Sequence, residues 1–457
     1  MLQLTSTKCG NHAIVIGGSI AGLFATRILS DHFESVTLIE QDFITEETRE
    51  YRGIPQSRHA HVLLAKGFEI ASQLFPNLED SLRDAGAIEI DIGEEVSWYH
   101  FSDYKIKFKN SLKVWCQSRP LLESVVRQRI SQLLNVTILS KCAVERLLTA
   151  PNKKRILGVK LGLNRQSGYP SNLTADLVID ATGRNSHGPQ WLESLGYRRP
   201  EESEVMVRVG YTSRIYKRNS HDFDKSKFYI ISGHPPIEKR GGLVAPIEGD
   251  RWLVTLIGYL DDHPPIEDKG FLEFARSLAV SDIYDLISRS EPLSEPIPHK
   301  FPSSLRRHYE RLEHFPEGYL LIGDALCSFN PIFGQGMTVA ALEAQILSKC
   351  LSENSMNFQG LSQQFFSQVA RVIDTPWSMA MGEDIRYPGV SGERTLKTSA
   401  LNWYIGKIYE ASHRDSTVYD GFLQVMHLMS SPQILFKPTF LWRVLKASIL
   451  FQPTVLG

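Results

Sequence analysis

The chain has 457 residues, 42% of them hydrophobic and 22% charged, too long for one ordinary core and suited to two or three packed lobes of a globular enzyme. Its formal net charge of −1 provides no long-range field to gather nucleic acid or an anionic membrane, so partners have to be recognised locally. The five cysteines (Cys9, Cys116, Cys142, Cys327, Cys350) are scattered, odd in number and without CxxC spacing, which argues against a disulfide framework or a zinc site and for a reducing cytoplasm.

In chain order, the first segment (MLQLTSTKCGNHAIVIGG) has no basic n-region and reads as neither a signal peptide nor a span, since no stretch reaches the ~18 apolar residues a bilayer needs. Residues 12–16 predict a short buried strand. The turn Gly17-Gly18-Ser19-Ile20-Ala21-Gly22 follows, then a helix over 23–29 and a second apolar strand over 35–39 that ends at Glu40. Strand, glycine turn, helix, strand and acid make a dinucleotide-binding unit. Gly17 allows the sharp turn, Gly22 allows close helix–strand packing, and the helix start offers N–H groups and a dipole to a pyrophosphate. Ser19 takes the place of the second glycine of GxGxxG and is small enough for close approach. Glu40 suits an adenosine ribose. So early a unit favours FAD over NAD.

His59 and His61, two apart, would share a face of a strand; they lack further metal ligands nearby, which leaves flavin or substrate contact and ordinary structural roles open. Residues 143–163 alternate, with a polar break at 151–154, and predict a hairpin leading back to the first sheet. The stretch 175–185 (ADLVIDATGRN) is a buried strand running into Ala181-Thr182-Gly183, with Asp180 serving the turn. Strand patterns at 204–216, 227–231, 242–246 and 251–259 predict an antiparallel sheet between the nucleotide-binding segments, with Tyr211 and Tyr229 facing either substrate or core. Residues 319–347 (YLLIGDALCSFNPIFGQGMTVAALEAQIL) read as a strand ending at Asp324, a loop, Gly334-Gln335-Gly336 and a long helix. From 386 the chain is helical and aromatic; residues 434–451 could form a packed helix pair, close a greasy tunnel or lie on a membrane.

Together these segments resemble the FAD monooxygenases related to para-hydroxybenzoate hydroxylase and squalene epoxidase. The stretches RGIPQSRHAHVLL (52–64), CQSRPLLESVVRQR (116–129) and GDALCSFNPIFGQGMTVAALEA are similar to the flavin epoxidases of polyether biosynthesis. The resemblance covers most of residues 12–350. It implies an α/β fold of the glutathione-reductase type: an FAD-binding Rossmann domain from 1–184 and 301–385, an inserted antiparallel substrate sheet at 185–300, and a helical region at 386–457. It implies that Gly17, Gly18, Ser19, Ala21, Gly22 and Glu40 hold the adenosine diphosphate half and that Arg119 and the backbone of Val144 contact the cofactor. Asp324, Pro331, Gly334, Gln335, Gly336 and Met337 would hold the ribityl chain and ring. Cys327 stands near the place where many aromatic hydroxylases carry a histidine.

The activity implied is insertion of one oxygen atom from O2, by way of a flavin C4a-hydroperoxide, into a small apolar organic substrate by epoxidation or hydroxylation. FAD is the cofactor, and NADPH, NADH or a separate flavin or ferredoxin reductase supplies electrons. Nucleic acid is not expected, and membrane contact is at most peripheral, through the C-terminal region. Rival readings are an FAD reductase or dehydrogenase of an isoprenoid-like substrate and a flavoprotein that binds FAD as a sensor; no WxWxIP-like stretch supports a halogenase.

Overall fold

The computed structural model describes residues 8–42, 59–162, 170–219, 222, 226–354 and 358–450. Strand Gly10–Ile16 lies at the centre of a five-stranded parallel sheet in the order Tyr319–Leu321, Leu177–Asp180, Gly10–Ile16, Phe33–Ile39, Val136–Leu139. Its central strands are near-continuous apolar runs because both faces are covered. Helix Ile20–His32 buries Leu23, Phe24 and Leu29 and packs on helix Gly336–Glu353. The first helix is three residues longer at each end than its apolar pattern indicated.

Two glycines set the first turn. A Cβ on Gly22 would sit 1.8 Å from the carbonyl oxygen of Gly17, so no side chain fits where helix and strand meet. Gly17 has φ +104°, and a Cβ there would lie 2.5 Å from the Ala181 carbonyl oxygen.

The predicted hairpin is present as strands Val144–Thr149 and Ile156–Leu161. It does not rejoin the parallel sheet: with Asn172–Thr174 it makes a separate three-stranded antiparallel sheet.

The inserted sheet has eight strands, in the order Cys327–Ser328, Ile297–His308, Glu201–Lys217, Arg251–Gly258, Arg240–Ile247, Phe228–Ile231, Val96–His100, Asp103–Tyr104. Two features depart from the expected antiparallel block at 185–300. Strand Val96–His100 joins from the preceding segment and pairs in parallel with Phe228–Ile231, and strand Ile297–His308 runs through the boundary placed at 300. One face of this sheet packs Trp252, Val254 and Tyr229 against helices Asp268–Arg276 and Asp282–Ile287. The other packs Trp98, Phe228 and Ala245 against helices Leu396–Ala411 and Ser416–Met426. Among the described residues no helix is long and apolar enough to cross a membrane.

Candidate active site

The three glycine-bearing segments, far apart in sequence, converge at the carboxyl ends of the parallel strands. A Cβ on Gly323 would lie 2.8 Å from that of Ala21, one on Gly183 would lie 4.0 Å from the Asp324 Cβ, and one on Gly336 would lie 3.7 Å from Asp324 Oδ1. Asp324 sits in a single 3-10 turn, Gly323–Ala325, directly after its strand. Glu343, buried on the long helix, holds that turn by accepting the Gly323 N–H at 2.5 Å. Burial pushes the Glu343 carboxyl up to about 8. Burial also pushes the Asp324 carboxyl up, while Arg119 and Arg184 pull it back down.

The two strand-end acids differ sharply. Asp180 accepts from Thr182 N–H and Oγ1–H, Ser186 Oγ–H and Tyr319 O–H, at 2.6–2.9 Å, so its capacity is spent on the Ala-Thr-Gly turn. Asp324 receives no hydrogen bond from any described residue. A half-buried carboxylate with no donor of its own is a site for donors from elsewhere, such as the hydroxyls of a ribityl chain.

At the first turn, Glu40 accepts the Gly18 N–H at 2.7 Å and the Asp42 N–H at 2.9 Å. Ser19 begins helix Ile20–His32 without a side-chain cap bond. Its hydroxyl instead donates to Glu123 Oε1 at 2.6 Å and accepts from Arg119 Nη2 at 2.8 Å. Arg119 is itself held by Glu123 at 3.0 Å, and Arg127 donates to the Gly18 carbonyl oxygen at 3.2 Å. Two buried guanidinium groups therefore stand beside an open helix start, an arrangement suited to a pyrophosphate. Glu123 and Arg127 were not singled out in the sequence; their spacing of four and eight residues from Arg119, one helix face, was the available signal. Val144 opens its strand two residues after Cys142, whose N–H donates to the Glu40 carbonyl oxygen, which places Val144 near the end of the second strand.

Beyond the Asp324 turn, Pro331, Gly334 and Gln335 form one end of a cavity of about 640 Å³, while Gly336 and Met337 begin the long helix. That volume is in the range of small-molecule sites. Its wall is apolar: Val62, Ile92, Ile230, Leu243, Met379 and Phe422 are representative. Most polar groups in the wall already have partners. The Tyr387 hydroxyl donates to the Glu238 carbonyl oxygen at 2.8 Å, the Tyr409 hydroxyl to Glu383 at 2.8 Å, and Asn402 to the Gly382 carbonyl oxygen at 2.9 Å. His427 Nδ1 accepts the Ala65 N–H at 3.2 Å, and burial lowers the ring to about 4, so it is neutral near pH 7.

The tyrosines expected to face substrate are resolved by strand alternation. Tyr229 turns to the opposite face of the sheet, against Trp252, and its neighbours Phe228 and Ile230 line the cavity instead. Tyr211 is buried and does not line the cavity; its hydroxyl donates to Asn330 Oδ1 at 2.6 Å. His61 accepts from Arg119 at 3.2 Å through Nε2 and donates from Nδ1 to the His59 carbonyl oxygen at 2.8 Å. Burial first, then Arg119, lowers His61 to about 3, consistent with a neutral acceptor. His59 pairs with Ser213 at 2.7 Å. Residues 52–58 of the stretch RGIPQSRHAHVLL lie outside the described residues. Cys327 is buried in a two-residue strand, and no group of three or more His, Cys, Asp or Glu side chains is arranged for a metal among the described residues.

Asn330 is a hub that sequence reading missed. Besides Tyr211, it donates to Asp384 Oδ1 at 2.9 Å and to the Tyr259 hydroxyl at 3.1 Å, and Tyr259 donates to the same Asp384 oxygen at 3.0 Å. Burial pushes the Asp384 carboxyl up to about 7 in spite of those donors. A carboxyl whose folded value lies above its unfolded value of about 4 contributes stability below that value, and the contribution is lost as pH rises through 7. Asp384→Asn keeps an acceptor for both donors and cannot ionise. Its melting temperature is expected to change less than that of the parent between about pH 4 and about pH 8. Parallel pH–Tm curves for the two proteins would show that Asp384 does not titrate in this range.

No family model matches the chain. Its backbone is similar to PqsL, a probable FAD-dependent monooxygenase from Pseudomonas aeruginosa, with a TM-score of 0.61 at 15% identity over 83% of this chain and 99% of that one. It is also similar to the flavin-dependent brominase Bmp2, with a TM-score of 0.66 at 13% identity over 97% and 100% of the two chains. A flavoprotein/dehydrogenase from Cytophaga hutchinsonii matches with a TM-score of 0.67 at 15% identity over 96% and 98%. The chain thus has the fold of the FAD-dependent monooxygenases and halogenases, with its Rossmann-type sheet, inserted sheet and helical C-terminal region. In sequence, Protein Rv3254 of Mycobacterium tuberculosis (strain ATCC 25618 / H37Rv) is 31% identical over 438 residues, 92% of this chain and 90% of that protein. The chain belongs to the family of that protein.

Proposed function

We propose that this protein is an FAD-dependent monooxygenase that transfers one oxygen atom from O2 to an apolar organic substrate, at a carbon–carbon double bond in preference to a phenol. The observation that carries the reading is the half-buried Asp324 carboxylate, without a donor among the described residues, between the glycines of three separate segments, with the segment 331–335 that follows it lining an apolar cavity. When bound, FAD supplies the redox chemistry and the activation of oxygen. The residues present suit it: Gly17 to Gly22 with Arg119 and Arg127 for the pyrophosphate, Glu40 for the adenosine ribose, and Asp324 for the ribityl hydroxyls. Pro331 to Gln335 line the cavity, and the helix start at Gly336 lies beside Asp324, so this segment would border a bound cofactor.

The protein's own part is to orient the substrate and keep water away from the reacting atoms. The many apolar and partnered residues of the wall favour a mostly carbon skeleton, with His100 Nδ1 and Gln335 Oε1 as buried polar atoms still without a partner among the described residues. This supports kinship in chemistry with epoxidases of polyether or squalene type. The likeness to a flavoprotein/dehydrogenase keeps a second reading, hydride transfer with an isoprenoid-like substrate. NADPH or NADH, or a partner reductase, is the proposed source of electrons.

Purified protein is expected to be yellow, to release FAD into the supernatant on acid precipitation, and to consume O2 and NAD(P)H faster when offered a polyene. Colourless protein that does not take up added FAD would overturn the flavoenzyme reading. Fast NAD(P)H oxidation that transfers hydride to the polyene without oxygen uptake would select the dehydrogenase.

A further inference from the structure

Several residues of the cavity wall are also exposed: Lys239, Asp374 and Ser378 are polar, whereas Leu401 and Phe436, at 42% and 46%, make an apolar margin. Phe436 ends a short 3-10 segment and is followed by the helix Pro438–Leu450. That helix buries Phe440 and Val444, and turns Trp442 and Leu445 outward at 64% and 49% exposure. At about 100° per residue, Trp442 and Leu445 fall within one narrow sector opposite the buried pair. The helix is therefore apolar on its inner and its outer side.

The charges carried by this segment itself share one sign. Lys437 and Lys446 are exposed and pair with no carboxylate among the described residues. Arg443 pairs with Asp415 at 3.1 Å. No Asp or Glu follows Asp420 in the chain, while Lys437, Arg443 and Lys446 do. A net charge of −1 for the whole chain conceals this local excess.

We propose that the outer face of helix Pro438–Leu450 docks on an anionic lipid bilayer, and that apolar substrate passes from the bilayer into the cavity between Leu401 and Phe436. Tryptophan and leucine flanked by unpaired lysines are what an in-plane interfacial helix presents to anionic headgroups and the outer acyl region. A second copy of the chain is a poorer occupant, because a two-fold interface here would bring the same cations face to face. The passage of substrate rests on the monooxygenase reading above; the docking does not.

The test uses the full-length holoprotein, sedimented with phosphatidylcholine vesicles with and without phosphatidylglycerol. Binding is expected only to the phosphatidylglycerol vesicles and is expected to weaken as salt is raised. Lys437→Gln and Lys446→Gln should each weaken it by roughly fivefold, and Trp442→Glu should abolish it. None of the three lies on the cavity wall, so FAD content and turnover of detergent-dispersed substrate should stay at the parental level. No binding to either vesicle, binding indifferent to these substitutions, or a dimer in light scattering that Trp442→Glu dissolves would each overturn the proposal. Vesicle binding that depends on these residues in a protein without FAD or oxygen uptake would uphold the docking and defeat the enzymatic reading instead.

Discussion

Asp324→Ala is expected to fold as stably as the parent and to bind FAD more weakly by roughly one to two orders of magnitude. The carboxylate has no donor among the described residues, so its removal strands no buried protein group. Each hydrogen bond lost from a ribityl hydroxyl to a charged acceptor is worth about 1.5–3 kcal/mol, or roughly tenfold to a hundredfold. Removal of burial strain on Asp324 adds a small stabilisation to the apoprotein, since burial already disfavours its charged form. Asp180→Ala should behave in the opposite way. It removes the acceptor for the exposed Thr182 and for the buried Ser186 and Tyr319 hydroxyls, and each of those two stranded buried donors costs about 1–3 kcal/mol. The expected result is a clearly lower Tm, with FAD affinity changed only as far as the fold is weakened. Titration of apoprotein with FAD, beside thermal melts of both variants, separates the two roles. Equal FAD affinities in two folded variants would remove Asp324 from the proposed site.

The contrast shows which parts of the site were legible in the sequence. The parallel unit could be read because its signals are local: an apolar run, a glycine turn and an acid lie within one βαβ length. The placement of Asp324 at a strand end could be read in the same way. What could not be read depends on contacts between distant segments. Nothing near Val96 announces that it will pair in parallel with Phe228, because strand pairing is set by the whole sheet. Alternation puts Tyr229 on the face opposite Phe228 and Ile230, but a period of two cannot say which face borders a cavity, and Ile231 at the strand end lines it as well. The hub at Asn330 joins residues 54 to 119 positions away, so no spacing rule points to it. The aromatic C-terminal helices announce a core, yet only their packing shows that Phe422 and Phe436 also form the cavity wall.

Met379→Trp is expected to leave FAD binding intact and to raise KM for an apolar substrate by about two orders of magnitude. Met379 lies on helix Leu361–Asp384, lines the cavity, and is partly buried against the C-terminal core. An unbranched side chain on the edge of an open volume can be replaced by an indole without forcing its neighbours apart. The indole would then occupy space that a substrate must fill. Excluding substrate from on the order of 100 Å² of apolar contact, at about 25 cal/mol/Å², costs about 2.5 kcal/mol, or roughly seventyfold. The effect should grow with substrate length across a series of polyenes, because longer members use more of the wall. A short phenol should be nearly indifferent to the change. Oxygen-18 incorporation measured on both panels, in the parent and in Met379→Trp, tests size and chemistry together. Label that enters only phenols would reverse the proposed preference for double bonds. Label that enters polyenes equally well in both proteins would mean that the substrate binds elsewhere, for this cavity cannot hold both the indole and a long chain beside Met379.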